Sequence, residues 1–220
     1  MNKFNLEKKW VFEPLNKVVI ENHLAKLFLQ AGAEQEVCLK GTINFNRSQD
    51  DFQADDYIQS DYQEGVLKII LPEFESDEFR DAVFNVTIPE DVYLHIITDN
   101  YPVNFDNLKN KLKVLNENGP VYLQNCKGDM HLESENGLIR LSNCEGDIFA
   151  KLENGPFSAS QISGKTLHLE NENGPVKVRV SSFPEVEITS ENGPVYLETV
   201  PLENGNFQLK TENGSINLIL

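Results

Sequence analysis

Four side chains in the C-terminal half are suited to gripping a sugar ring or an extended chain: Tyr122, Arg140, Lys177 and Tyr196. Aromatic faces and cationic heads on one flat surface can hold either kind of ligand. Each stands in the middle of an apolar-x-apolar triplet, so all four point away from whatever core those triplets build. The competing reading is an ordinary exposed sheet surface. A second set is acidic. Glu117, Glu135, Glu153, Glu172 and Glu191 each open a Glu-Asn-Gly triplet. Stacked in a column, they would form either a weak divalent-cation edge or a row of solvated turn residues. Glutamates ~5 Å apart repel by roughly 0.8 kcal/mol in water, and splaying the side chains relieves most of this.

Catalytic chemistry finds fewer footholds. Hydrolysis or elimination on a polysaccharide needs carboxylates that converge. Asp is absent after Asp147, and Glu133, Glu170 and Glu187 show no pairing beyond the repeat itself. His131 and His168 fall about two strands apart, roughly 9–10 Å, too far to share one metal ion. No Gly-x-Ser-x-Gly elbow occurs. Cys38, Cys126 and Cys144 are too few and too scattered for a disulfide framework or a zinc site. Cys126 and Cys144 read as small apolar fillers, although stacked strands would bring them near enough to bond. Calcium-binding nonapeptide rolls need Gly-Gly-x-Gly-x-Asp turns, where this chain writes Asn-Gly-Pro. The expectation is a protein that is not an enzyme, with no cofactor and no dedicated metal centre.

The elements that must position these residues follow from a repeat. Gly119, Gly128, Gly137, Gly146, Gly155 and Gly164 stand nine apart, and Gly174, Gly193, Gly205 and Gly214 continue the series with slips. After each glycine come apolar pairs two apart, such as Val121/Leu123, Ile139/Leu141, Val176/Val178 and Val195/Leu197. Period-two alternation means strand, with one face buried and one wet. Pro120, Pro156, Pro175 and Pro194 follow the glycine directly. There a missing N–H is tolerated as a strand begins. Asn-Gly accepts positive φ, which accounts for a sharp reversal. The turns alternate in type, Glu-Asn-Gly at one end and Asn-Cys-Lys-Gly, Asn-Cys-Glu-Gly or Gln-Ile-Ser-Gly at the other. Like turns thus recur every 18–19 residues, as stacked rungs require rather than hairpins. The predicted fold is all-β, a single-stranded parallel β-solenoid or β-helix with 18–19-residue rungs. Cys126, Cys144 and Ile162 would share one column.

The chain of 220 residues is 40% hydrophobic and carries a net charge of −16. Such a balance disfavours nucleic acid, which needs clustered Lys and Arg. No stretch approaches the ~20 apolar residues of a membrane helix. The first residues, Met1 to Lys17, lack the apolar core of a secretory signal, which points to the cytoplasm. Residues 1–100 read as an irregular N-terminal β part and residues 101–220 as the regular repeat of one solenoid domain, 1–220. Within the first part, Asn46–Gln63 and Glu75–Asp81 are acidic and read as loops.

Three stretches carry a family resemblance. "FNVTIP" (Phe84–Pro89), "GDMHLESENGLIRL" and "GDIFAKLENGPFSA" resemble the strand and ladder units of the bacterial "putative adhesin" domains of unknown function, the toast-rack-like group. The resemblance implies an all-β solenoid, a place at the cell envelope or surface, and no catalytic residues to carry over. The leading functional expectation is therefore a non-enzymatic, adhesin-like binding or structural scaffold. The alternative is a carbohydrate-active enzyme, a polysaccharide lyase or hydrolase, on the same fold. Expected partners are a protein or a glycan, or a second copy of the chain through the open edge at "SINLIL" (Ser215–Leu220).

Overall fold

The computed structural model describes residues 2–46, 57–73, 79–202 and 204–220. They form two facing sheets, one of eleven strands and one of ten. From Tyr93 onward the chain crosses between the sheets twice in every rung. Strands Tyr93–Thr98, Leu112–Asn116, Met130–Ser134, Ile148–Leu152, Thr166–Asn171, Glu185–Ser190 and Asn206–Thr211 stack in the ten-stranded sheet. Strands Val103–Asp106, Val121–Gln124, Ile139–Glu145, Phe157–Ser163, Val176–Ser182, Val195–Thr199 and Ile216–Ile219 stack in the other. All neighbours in these two runs are parallel. The molecule is a β-solenoid of about 7 turns with rungs of about 19 residues, as the glycine period predicts.

Alternation decides what is buried. Leu94, Leu112, Met130, Ile148, Leu167 and Val186 form one inward column. Val103, Val121, Ile139, Phe157, Val176 and Val195 form another on the opposite sheet. All twelve are buried. A fully buried side chain of this kind contributes about 1.5–3 kcal/mol. Each rung supplies only a few such side chains, so a rung depends on its neighbours above and below.

The Glu-Asn-Gly turns stack as tightly as the strands. The Asn118 side-chain amide donates to Asn100 at 2.8 Å, Asn136 to Asn118 at 2.8 Å, and Asn154 to Asn136 at 2.9 Å. Asn173, Asn192 and Asn213 continue the ladder. Beneath it lies a buried polar column. Asn116 Nδ2 donates to the Gly119 carbonyl at 2.7 Å and to Ser134 Oγ at 2.8 Å, and Asn171 Nδ2 reaches the Gly155 and Gly174 carbonyls. Leu152 interrupts that column.

The glycines of these turns serve a purpose other than the expected one. Positive φ does not occur at Gly119, Gly137, Gly155, Gly174, Gly193 or Gly214. A Cβ on Gly137 would overlap the Gly119 carbonyl, one on Gly155 the Gly137 carbonyl, and one on Gly193 the Gly174 carbonyl. Close approach of one backbone to the next, not turn geometry, demands glycine here. Left-handed backbone belongs to the opposite turn, at Asn125, Asn143 and Gln161 (φ 54°) and at Val180 (φ 50°). Asn tolerates that conformation, whereas a β-branched residue is strained in it.

The N-terminal strands join the same stack out of sequence order. Lys17–Asn22 pairs in parallel with Tyr93–Thr98, and Lys26–Gly32 with Val103–Asp106. Val66–Leu71 and Phe79–Pro89 add the next layer. Antiparallel strands then finish this end: Asn2–Trp10 on Val37–Phe45, Val37–Phe45 on Phe79–Pro89, and Gln59–Gln63 on Val66–Leu71. Two loop expectations are thereby corrected. The end of Asn46–Gln63 is the strand Gln59–Gln63, held as an edge by its hairpin, and residues 47–56 lie outside the described residues. Phe79 to Asp81 open the strand Phe79–Pro89, and residues 74–78 lie outside the described residues.

Two stability measurements follow. Gly155→Ala lowers stability by about 1–3 kcal/mol, because the methyl meets backbone that cannot yield; an unchanged melting temperature would contradict the close-stacking account. Val180→Asn raises stability by about 1 kcal/mol by relieving the left-handed strain, read as a rise of about 2–4 °C in Tm. A fall in Tm would show that the valine is not strained.

Candidate binding face

Outward positions of the eleven-stranded sheet form two columns. The first runs Asn104, Tyr122, Arg140, Ser158, Lys177, Tyr196 and Asn217. All four residues singled out in the sequence therefore lie in one file. Tyr122 abuts Arg140, Ser158 separates Arg140 from Lys177, and Lys177 abuts Tyr196. Tyr122 and Tyr196 are four rungs apart, about 19 Å at the strand spacing. The second column runs Asp106, Gln124, Ser142, Ser160 and Arg179.

Arg179 joins the file from that second column. Its guanidinium lies 5.6 Å from the Tyr196 ring centroid, and Lys177 Nζ lies 5.9 Å from it. The Tyr196 hydroxyl donates to Glu198 at 3.2 Å. These contacts hold the ring in place at one end of the face. Sequence reasoning passed over Arg179 because it took only the middle residue of each triplet. Its place two residues beyond Lys177, on the same side of a strand, was the available signal.

The opposite sheet presents a different surface. His131, Phe149 and His168 stack in register, with centroid separations of 4.5 Å and 5.1 Å. His131 Nε2 is 2.7 Å from Glu133, and His168 lies 3.1 Å from Glu170 and 3.0 Å from Glu187. Burial pushes the Glu133 carboxyl up, but the bonds from His131 and Lys113 outweigh it and hold that group below the usual carboxylate range. A shallow groove of about 380 Å³ runs beside the stack. Here Glu133 and Glu170 each meet a histidine of their own strand, and Glu187 meets His168 of the neighbouring one.

The glutamates of the turns also align. The Asn136 amide donates to the Glu117 carbonyl at 2.7 Å, Asn154 to Glu135 at 2.7 Å, Asn173 to Glu153 at 2.7 Å and Asn192 to Glu172 at 2.8 Å. Glu117, Glu135, Glu153, Glu172 and Glu191 thus stand on successive turns, all exposed. Among the described residues no group of three His, Cys, Asp or Glu side chains is arranged to hold a metal ion. Cys126 and Cys144 are free and buried, and the Cys144 position pairs with Ile162. A hydrogen bond to Cys144, together with burial, pushes the Cys126 thiol up, so it stays protonated as a column filler.

The match to known proteins agrees with this geometry. A putative adhesin of Parabacteroides merdae has the same fold over 98% of this chain and 96% of its own, at 15% identity and a TM-score of 0.54. A "putative lipid binding protein" of Parabacteroides distasonis aligns over 98% of this chain and 97% of its own, at 14% identity and a TM-score of 0.55. At such identity the likeness establishes the fold alone. No curated protein matches the sequence. The Toastrack DUF4097 family model matches residues 15–220. The two-sheet stack, with its period of about 19 residues, and this match over nearly the whole chain establish that the protein belongs to the Toastrack DUF4097 family.

Proposed function

We propose that the chain is a non-enzymatic binding scaffold of the bacterial envelope that uses the outer face of the eleven-stranded sheet to hold an extended ligand. One observation carries this reading. Lys177 and Arg179, two cations of the neighbouring strand, both lie over the Tyr196 ring, which stands in one file with Arg140 and Tyr122. Rigid aromatic groups on a fixed sheet lose little entropy on binding. The adhesin and lipid-binding names of structures with this fold support a binding role and an envelope location. The enzymatic alternative needs two carboxylates aimed at one point. Glu133 and Glu170 instead each accept from a histidine of their own strand.

The last rung supports association with a second copy. Ile216 and Leu218 are 44% and 41% exposed, whereas Val195 and Leu197, one rung earlier in the same columns, are 1% and 0%. Open strand edges over uncovered apolar columns favour pairing. Light scattering checks this: a dimer that Leu218→Lys dissolves agrees with it, and a monomer contradicts it.

The binding face is tested on a panel of immobilised bacterial and host polysaccharides. Tyr122→Ala and Tyr196→Ala are each expected to weaken retention about fivefold or more, as for an aromatic anchor. Both are half-buried outward positions away from the core, so stability should shift by no more than about 1 kcal/mol. Retention that neither substitution changes would place the ligand on another surface.

A further inference from the structure

The charge on the binding face runs against that of the molecule. The chain carries 35 Asp and Glu against 19 Lys and Arg. Yet over three successive rungs the outward residues of the eleven-stranded sheet ahead of its left-handed break are Arg140 and Ser142, Ser158 and Ser160, Lys177 and Arg179. These positions form a field of cations and hydroxyls; the exposed Glu145, beyond the break on the first of the strands, is taken by Lys127. Among the described residues Arg140, Lys177 and Arg179 form no ion pair. On the other sheet Lys113, His131 and His168 all meet glutamates. A chain so rich in acid could have paired these three cations, and it leaves them without a carboxylate partner on one face. Among the described residues the hydroxyls of Ser142, Ser158 and Ser160 also form no hydrogen bond to protein, although each serine is half-buried.

The backbone narrows the ligand class. Strand Phe157–Ser163 is hydrogen-bonded on both sides, to Ile139–Glu145 and to Val176–Ser182. A peptide strand adds to a sheet edge, and this face has none, so a ligand here must be read by side chains alone. Nucleic acid would demand many more cations than three. A polysaccharide with carboxylates meets each feature in turn. The guanidinium fork binds carboxylate through two parallel hydrogen bonds. Free serine hydroxyls suit sugar hydroxyls. Tyr122 and Tyr196 offer ring faces at the two ends, and Arg140 and Lys177 stand about 10 Å apart across two strand spacings. At physiological salt charges are screened beyond about 8 Å, so this local field, and not the acidic turns, governs contact.

We propose that this face binds a uronate-bearing polysaccharide laid along the solenoid axis, the chain's carboxylates on Arg140, Lys177 and Arg179. The inference rests on the binding-face reading and specifies its ligand class. Two soluble polymers with one backbone test it: polygalacturonate and its methyl ester, which keeps the hydroxyls and loses the charge. Titration calorimetry of the whole chain should show polygalacturonate binding at least tenfold tighter than the ester. The affinity should fall at least tenfold between 50 and 500 mM NaCl. The triple variant R140Q/K177Q/R179Q should lose that preference while keeping the wild-type Tm. Equal binding of both polymers, abolished by Tyr122→Ala, would leave the binding face standing and overturn the charge assignment. Refusal of polygalacturonate, or a preference for dextran sulfate over it, would also overturn it.

Discussion

The structure depends on one constraint: each Glu-Asn-Gly turn must lie flat on the turn before it. A glycine in one rung sits against the glycine carbonyl of the rung beneath, with no room for a Cβ between them. The neighbouring asparagine hands one amide hydrogen to the asparagine below and receives one from above. Together these contacts set the vertical spacing and forbid slippage. A one-residue slip would turn every core side chain outward, so the turn protects the core as much as the core stabilises the turn.

With the register locked, the inner and outer positions of each strand are free to serve different ends. Inward residues are apolar almost without exception because they must fill one continuous core. Outward residues carry no such demand, and the two sheets use that freedom differently. One displays His131, His168 and Lys113, each set against glutamate, around a stacked Phe149. The other, from Val121 to Thr199, displays Arg140, Lys177 and Arg179, which form no ion pair, with serines and two tyrosines.

Much of this was legible from the sequence, and the rest was hidden for physical reasons. Nine-residue spacing and strict alternation disclose the rungs from Gly119 onward, and with them the file from Tyr122 to Tyr196. Lys17–Gly32 reads as strand, but its pairing was opaque because its partners lie at Tyr93–Asp106, with other strands in between. Pairing at that separation leaves no local period. Gln59–Gln63 has no apolar alternation because it is an exposed edge. The glycines were visible but misread, since Asn-Gly suggests positive φ when seen one turn at a time. Only neighbouring turns show that the crowding comes from above and below. Arg179 was lost to too narrow a choice of outward positions.

In-register stacking is the claim on which both the core and the proposed binding face rest. Pulsed electron resonance between spin labels measures it directly. One label is placed at Glu117→Cys and the other in turn at Glu172→Cys, Glu191→Cys and Glu212→Cys, with Cys38, Cys126 and Cys144 replaced by alanine. The account predicts narrow distance distributions that lengthen by about 5 Å with each added rung. Distances that do not grow with rung number, or broad distributions at every pair, would contradict it.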